Sequence, residues 1–298
     1  MANTAVADPD SDLTRAQLAA RYGLTVAGAR PTLGAYLRRL WAYRHFMRAY
    51  ANAKVTASFG QARLGQLWQV LTPLTNAAVY YLIFGVILNT SRGIPNFIAY
   101  LCVGLFVFVF TSSVATAGTS AIVGNLGLIR ALHFPRAALL IAITMTQFRH
   151  LLAAMVVLIG IVLVTGEPIT AEWLLVPPAL FLQTIFNIGL ALLLGRLGSK
   201  VTDLKQVMPF VMRTWMYGSG VLYSVALFAQ NLPKTLANLV ELNPLLVYIE
   251  LVRHALLENA PLTSSAPRLW LLAIGWAAVV GTVGFVYFWR GEQEYGRG

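Results

Sequence analysis

The side chains that usually carry out chemistry are scarce in this sequence, and none of them has a catalytic or metal-binding spacing. No lysine follows a glycine, so the Gly-Lys-Ser/Thr core of a nucleotide-binding P-loop is absent. The four histidines and the single cysteine form no metal-ligand pattern. The only clustered carboxylates lie in the segment DPDSD at 8–12. We therefore expect no catalytic residue, no metal and no cofactor in this chain.

The composition indicates a helical membrane protein. Apolar residues make up 58% of the 298 residues, charged residues only 11%, and the mean hydropathy is +0.68. Soluble domains contain roughly 25% charged residues, and a soluble fold with so few charges would expose large apolar patches. The net charge of +11 would point to nucleic acid in a soluble protein. In a membrane protein it is explained by basic cytoplasmic loops, so we predict no nucleic-acid partner.

Six stretches are apolar and long enough to cross a bilayer, which needs roughly 20 residues. Each has at most one Lys or Arg and no carboxylate, and they lie within residues 64–91, 93–129, 137–166, 173–195, 206–233 and 269–289. The predicted fold class is therefore an all-α membrane protein with six transmembrane helices. An ion-coupled carrier needs buried carboxylates in its spans, so the energy for any transport would come from elsewhere.

An even number of spans places both termini on the same side of the membrane. If that side is the cytoplasm, the cytoplasmic segments hold 18 of the 22 lysines and arginines. This bias predicts cytoplasmic termini. We divide the chain into a flexible cytoplasmic tail (1–31), an amphipathic interfacial region (32–63) and the six-span domain (64–298).

The segment 32–54 is both aromatic and basic. On a single helix its apolar face would be formed by Leu37, Leu40, Trp41 and Met47, with Tyr36 and Tyr43 at the edge. This pattern is typical of a helix in the cytoplasmic membrane interface, and a helix packed on the protein's own cytoplasmic side is the alternative. The residues expected at the interface and near lipid headgroups are Arg38, Arg39, Trp41, Arg44 and Arg63.

Two further segments are neither spans nor simple loops. The first cytoplasmic loop, 124–140, mixes apolar and basic residues and predicts a short amphipathic helix that ends before Pro135. That helix either docks a partner protein or is tucked under the bundle. Beyond the fifth span, residues 239–259 carry a helical apolar stripe too short to cross the bilayer, which predicts a re-entrant or interfacial helix. There Glu250 and Arg253 are three residues apart, and we expect an exposed ion pair of little energetic value.

Four fragments occur in order along residues 36–290. LGQLW (64–68) with Pro73-Leu74 lies ahead of the first span, and Phe84-Gly85 lies at its end. The first cytoplasmic loop contains Asn125, Leu128-Ile129 and Phe134-Pro135-Arg136. The segment after the fifth span contains Leu242-Asn243-Pro244-Leu245, Ile249-Glu250 and Arg253. In this order the fragments resemble the membrane subunit of ABC-2-type polysaccharide exporters, the permeases for O-antigen, teichoic acid and cell-wall galactan.

The sequence departs from that family at two places. The second cytoplasmic loop has Thr202-Asp203 where the family often has Arg-Asp. Late in the fifth span it has Ser219-Gly220-Val221 where the family often has Ser-Pro-Val. Glycine in place of proline removes a fixed kink and adds backbone freedom, so the outer half of this span is expected to differ.

The resemblance implies a functional assembly of two copies of this subunit and two copies of a separate ATPase, which carries ATP and Mg²⁺. It implies that the 125–136 loop is the coupling helix that docks on the ATPase, through Asn125, Leu128, Ile129, Arg130, Phe134, Pro135 and Arg136. It also implies an extracellular gate built by the helices of 230–267, with the gate residues Asn243, Pro244, Glu250 and Arg253. The substrate would be a glycan on a polyprenyl-pyrophosphate anchor, with a weak preference for cell-wall galactan.

A sliding glycan needs aromatic faces rather than deep charged pockets. The candidates for lining its path are Tyr80, Tyr81, Tyr100, Trp215, Tyr217 and Tyr223, although such residues also form membrane-interface belts. The pyrophosphate needs basic residues near the cytoplasmic mouth, for which Arg38, Arg39, Arg44 and Arg63 are available. Three alternatives stay open at this point: an ABC-2 exporter of a lipid or small molecule, a stand-alone flippase of lipid-linked sugars, and a membrane enzyme that acts on them.

Overall fold

The computed structural model describes residues 14, 17–18, 21–22, 32–60, 65–88, 93–132, 134–229 and 233–292. All regular secondary structure in this part of the chain is helical. The tail predicted at 1–31 falls almost wholly outside the described residues, and so does Arg63.

Four described helices are long and apolar enough to cross a membrane. They are α4 (Phe97–Ser120), α6 (Ala137–Val164), α7 (Val176–Lys200, preceded by a 3₁₀ turn at Ala171–Leu175) and α12 (Ala266–Arg290). At 1.5 Å per residue, each is about 36–42 Å long and exceeds the hydrocarbon thickness of about 30 Å. The chain is therefore an integral membrane protein, as the composition predicted.

Helix α4 is the centre of the bundle, because most of its side chains are buried by α6, α7 and later helices. The most extensive contact between described helices joins α7 and α12, where Gly284 lies against the backbone of Gly189 with no space for a side chain. Small residues at helix contacts allow this approach in membranes.

The first predicted span is a helix with an irregular second half. Helix α3 (Gly65–Tyr80) continues without a break into a π-helical segment, Tyr81–Ile87. Only its part at Leu74–Ile87 counts as an apolar helix, and that part is shorter than the four long helices.

The fifth predicted span, 206–233, is not one helix. Helix α8 (Leu204–Gly218) has 15 residues and ends at Ser219, and the short α9 (Val225–Ala229) follows a turn. A helix of 15 residues is only about 22 Å long. It ends because Gly220 has a φ of +61°, a left-handed conformation that interrupts an α-helix. The six-span count rested on gaps between charges, which report hydrophobicity and not this break.

Helices at the two ends of the bundle complete the fold. At one end, which we call the α1 end, lie α1 (Leu33–Ala42), α2 (Arg44–Gly60) and α5 (Leu126–Ala131). At the opposite end, the α11 end, lie α10 (Lys234–Glu241) and α11 (Pro244–Leu256). The single interfacial helix predicted over 32–54 is instead two helices that meet at Tyr43.

Candidate functional site

The first candidate site is the loop between α4 and α6 at the α1 end. After a 3₁₀ turn at Val123–Asn125, the chain forms α5 and then the extended Phe134-Pro135 pair that leads into α6. Ile129 and Phe134 are buried, whereas Arg130 and Leu132 are exposed. The predicted short helix before Pro135 is confirmed. One of its faces is tucked under the bundle, and the other faces outward, where docking of a partner stays a prediction.

Helix α2 braces this loop. The hydroxyl of Tyr50 donates to Asn125 Oδ1 at 3.0 Å, and Asn125 Nδ2 donates to the carbonyl of Ala121 at 2.8 Å. The ring of Phe46 packs on Phe134, with 4.9 Å between the centroids. Asn125 and Phe134 therefore hold the loop in place, and burial raises the pKa of the Tyr50 hydroxyl that bonds Asn125.

The end of the loop is tied to the last described residue of the chain. The backbone N–H of Arg136 donates to Glu292 Oε1 at 3.0 Å, and Arg136 Nη1 donates to the Glu292 carbonyl at 2.5 Å. The hydroxyl of Tyr36 donates to Glu292 Oε2 at 2.8 Å. Burial raises the pKa of the Glu292 carboxyl, and the hydrogen bonds from Arg136 and Tyr36 oppose this shift.

The interfacial pair α1 and α2 has a buried face that differs from the predicted one. Tyr36, Leu40 and Met47 are buried against the protein, whereas Leu37 is 52% and Trp41 is 70% exposed. The predicted common apolar face is wrong, because within α1 Leu40 faces the protein while Leu37 and Trp41 face outward. The helices pack on the protein and also present apolar side chains outward. The basic residues Arg38 and Arg39 are exposed, and the Arg44 guanidinium lies 5.6 Å from the Trp41 ring.

The second candidate site is at the α11 end, where the predicted exposed ion pair is wrong. Glu250 and Arg253 are both fully buried, and these two described side chains form no ion pair with each other. Arg253 donates to the carbonyls of Tyr100, Gly220 and Val221 at 3.2, 2.9 and 3.1 Å. Their i and i+3 positions predicted an exposed pair, but α11 is enclosed by α4, α7 and α12 on all sides.

Glu250 has its own partner. The Thr263 N–H donates to both carboxylate oxygens at 3.2 and 3.0 Å, and the Thr263 hydroxyl donates to Oε1. Glu250 thereby holds the turn between α11 and α12, whereas Arg253 holds the end of α8. The two charges stabilise two different connections to α11.

Asn243 joins α8 to α11 with every polar atom of its side chain. Its Oδ1 accepts from Trp215 Nε1 at 3.0 Å and from the Leu245 N–H at 3.1 Å. Its Nδ2 donates to the carbonyl of Gly218 at 2.9 Å and to Ser219 Oγ at 3.1 Å. Pro244 begins α11 at a position where no N–H is required. The Leu-Asn-Pro fragment is therefore a structural junction.

The aromatic candidates fall into three environments. Tyr100 is 1% exposed and lies under Arg253, so it faces no open path in this structure. The Tyr223 hydroxyl donates to the backbone carbonyl of Tyr217 at 3.0 Å, whereas Trp215, also on α8, donates to Asn243. Tyr80 is half-buried and Tyr81 is exposed, both on the first predicted span. The structure thus brings Tyr217 and Tyr223 together and places the other four elsewhere.

Sequence reasoning missed Thr263 and Glu292, and it placed Tyr36 at the edge of an apolar face without predicting its polar contact. Tyr36 and Glu292 are 256 positions apart. No spacing rule connects them, and only the fold reveals the contact. Among the described residues, no three His, Cys, Asp or Glu side chains cluster as metal ligands would.

The comparisons with known proteins identify the family. The model of the ABC-2 type transporter family matches residues 47–257, which include the loop between α4 and α6 and the junction of α8 and α11. The chain belongs to the ABC-2 type transporter family. Members of this family are permease subunits of transporters, without a catalytic site of their own.

Three relatives of this ABC-2 permease are informative. It is 24% identical to the O-antigen export system permease protein RfbA of Myxococcus xanthus, over 81% of this chain and 93% of the relative. It is 26% identical to the protein of the same name from Klebsiella pneumoniae, over 65% of this chain and 73% of the relative. It is 25% identical to the polysialic acid transport protein KpsM of Escherichia coli, over 69% of this chain and 79% of the relative.

Proposed function

We propose that this ABC-2 permease is the transmembrane subunit of an ATP-driven exporter, which moves a polysaccharide on a polyprenyl-pyrophosphate anchor across the cytoplasmic membrane. The observation that carries this proposal is the family match over 47–257 together with relatives named for O-antigen export and polysialic acid transport. Cell-wall galactan is the substrate we favour weakly, and O-antigen and teichoic acid are the other two glycans of the same class.

The energy comes from a separate ATPase, present in two copies with its ATP and Mg²⁺. The sequence of this chain has no P-loop. We propose that the ATPase contacts the outward face of α5, where Arg130 and Leu132 are exposed. The buried Ile129, Phe134 and Pro135 shape the loop beneath this face.

In the membrane, we propose six crossings with both termini in the cytoplasm. Four are the long helices, and the other two are α3 with its π-helical segment and the shorter α8. The hydrogen bond between Tyr36 and Glu292 supports an even number of crossings, because it joins the first helix to the residues that follow the last. The excess of lysine and arginine supports the cytoplasmic location of the α1 end.

The path of the substrate lies between this chain and a second copy. Exposed aromatic rings such as Tyr81 and Tyr217 offer faces on which sugar rings stack. The pyrophosphate enters near the α1 end, where Arg38, Arg39 and Arg44 supply positive charge. We propose that α10 and α11, with Asn243, Pro244, Glu250 and Arg253, form the outer gate.

The experiment that tests this function is purification with a candidate ATPase of an O-antigen or galactan export system, followed by ATP turnover in lipid vesicles. The test variant combines Arg130→Ala with Leu132→Ser, since both side chains are exposed and neither change removes a core contact. The matched control combines Arg268→Lys, which keeps a cation opposite Glu241, with Leu174→Ser, at two exposed side chains of the α11 end. We expect a stable complex whose turnover falls in the test variant and not in the control.

The substrate is tested by the same vesicles. Polyprenyl-pyrophosphate-linked galactan, O-antigen and teichoic acid precursors are added in turn, and export is read from the cleavage of glycan by an enzyme enclosed in the lumen. ATP-dependent access to one of them supports the proposal. The proposal is contradicted if the permease binds no ATPase, or if ATP turnover responds only to lipids or small molecules. Either result favours a flippase, an enzyme or an exporter of another substrate.

A further inference from the structure

The carboxylate of Glu292 connects three elements at the α1 end. Its two oxygens accept from the Arg136 N–H and the Tyr36 hydroxyl, and the Glu292 carbonyl accepts from the Arg136 guanidinium. The Arg136 Nη1 atom is also 3.6 Å from Oε1. Glu292, which follows α12, is thereby joined to α1 and to the segment between α5 and α6.

The contact with Arg136 caps a transmembrane helix. The first N–H groups of an α-helix have no partner within the helix and need an acceptor. No nearby side chain caps α6. The first N–H groups of α6 have acceptors elsewhere in the chain. Glu292 accepts from the Arg136 N–H, and the Tyr36 hydroxyl accepts from the Ala137 N–H at 3.4 Å. A negative charge at a helix N-terminus is also favoured by the helix dipole.

The position of this cap matters because Phe134-Pro135-Arg136 is the only connection from α5 to α6. Proline removes one N–H and fixes its own φ, so the segment has few other ways to be held. Phe134 is held by α2 from one side. Glu292 holds Arg136 from the other side and so connects α12 to this segment.

We propose that Glu292 is a positioning residue for energy coupling, which fastens the start of α6 to α1 and α12 so that a displacement of α5 moves these elements together. This inference rests on the proposed function, in which an ATPase displaces α5. Glu292 contacts neither the ATP nor the glycan in that scheme. Its effect is on how much export each hydrolysed ATP produces.

The first test is amide hydrogen exchange of the permease alone in detergent. We expect Glu292→Ala to speed exchange in peptides covering 134–139 by about ten-fold or more, and to speed exchange in 33–40, because both segments lose the shared carboxylate. Glu292→Gln keeps an acceptor oxygen, so its exchange rates should lie between those of wild type and those of Glu292→Ala. Phe288→Leu, a change in the fully buried last turn of α12, is the control for a general loss of stability. Equal exchange in wild type and Glu292→Ala would overturn the inference.

The second test measures glycan exported per ATP hydrolysed by the complex in vesicles. We expect Glu292→Ala to lower this ratio about five-fold or more, at the low end of known couplings between sites, while complex formation is retained. Phe288→Leu should keep the ratio. If the wild-type complex exports glycan and Glu292→Ala exports the same amount per ATP hydrolysed, the positioning role is rejected and the proposed function is not. A wild-type chain that binds no ATPase rejects the proposed function and the coupling role with it, whatever the exchange result.

Discussion

The guanidinium of Arg253 lies across the face of Tyr100, with its central carbon 3.4 Å from the ring centroid. The same guanidinium donates to the carbonyls of Tyr100, Gly220 and Val221. Gly104 makes room for it, because a Cβ at that position would lie 2.5 Å from Arg253 Nη2. A buried cation is held here by carbonyl dipoles and a ring rather than by a carboxylate, and it joins α4, α11 and the end of α8.

We expect Arg253→Lys to destabilise the permease. Lysine presents its donors from one nitrogen and cannot reach three carbonyls in the geometry of a guanidinium, so buried carbonyls lose partners at about 1–3 kcal/mol each. Thermal unfolding in detergent micelles measures the loss. Arg268→Lys, at a half-exposed side chain, is the matched control and should leave the melting temperature unchanged. A melting temperature for Arg253→Lys equal to wild type would contradict this account of the site.

We expect Gly220→Pro, which restores the residue that the family often has here, to be strongly destabilising. Proline fixes φ near −65°, whereas Gly220 has a φ of +61° and its carbonyl accepts from Arg253. The change should lower the free energy of unfolding by about 3 kcal/mol or more. Gly218→Ala, where a Cβ meets nothing within 4 Å, is the control. If Gly220→Pro stabilises the protein, the turn that ends α8 has a different conformation.

We expect Asn243→Asp to weaken the junction of α8 and α11. Aspartate keeps the acceptor for Trp215 and Leu245 but cannot donate to the Gly218 carbonyl or to Ser219 Oγ. The loss should be about 1–3 kcal/mol, read by thermal unfolding. Gln206→Glu makes the same chemical change at an exposed position. If Asn243→Asp unfolds at the same temperature as this control, the hydrogen bonds donated by the Asn243 amide do not contribute to stability.

The carboxyl of Glu292 predicts a pH dependence. Burial raises its pKa above that in the unfolded chain, so the native state binds this proton more tightly and its contribution to stability grows as the pH falls. The melting temperature of wild type should therefore rise relative to Glu292→Gln as the pH falls through the raised pKa toward the ordinary value of about 4.3. Arg136, Arg39 and Tyr36 are the groups that face this carboxyl and oppose the shift. A difference that shrinks toward acidic pH would contradict the predicted direction.

The sequence predicts local features well and the buried polar contacts poorly. The long apolar helices and the short helix before Pro135 follow from hydropathy, length and the rule for residues that precede proline, which depend on a few neighbours. The end of α8 depends on one backbone angle at Gly220. A window of apolar residues does not contain that information.

The charged residues show why the candidate sites were harder to predict. Glu250 and Arg253 look like a surface pair by spacing, but their partners are Thr263, 13 positions away, and the carbonyls near Gly220 and Tyr100. Burial of α11 on all sides comes from its neighbours in the bundle. Tertiary enclosure therefore decides the role of these charges, and no local pattern reports it.

The contact between Arg136 and Glu292 sets an order for the biosynthesis of the permease. The two residues are 156 positions apart, and ribosomes add about 5–20 residues per second. The start of α6 therefore waits about 10–30 s for its capping carboxylate after Arg136 has been made. During that time the Arg136 N–H lacks the carboxylate that accepts from it in the folded permease, whereas Tyr36, which accepts from the Ala137 N–H, has already been made. The contacts of the α1 end are therefore completed only after Glu292 has been made.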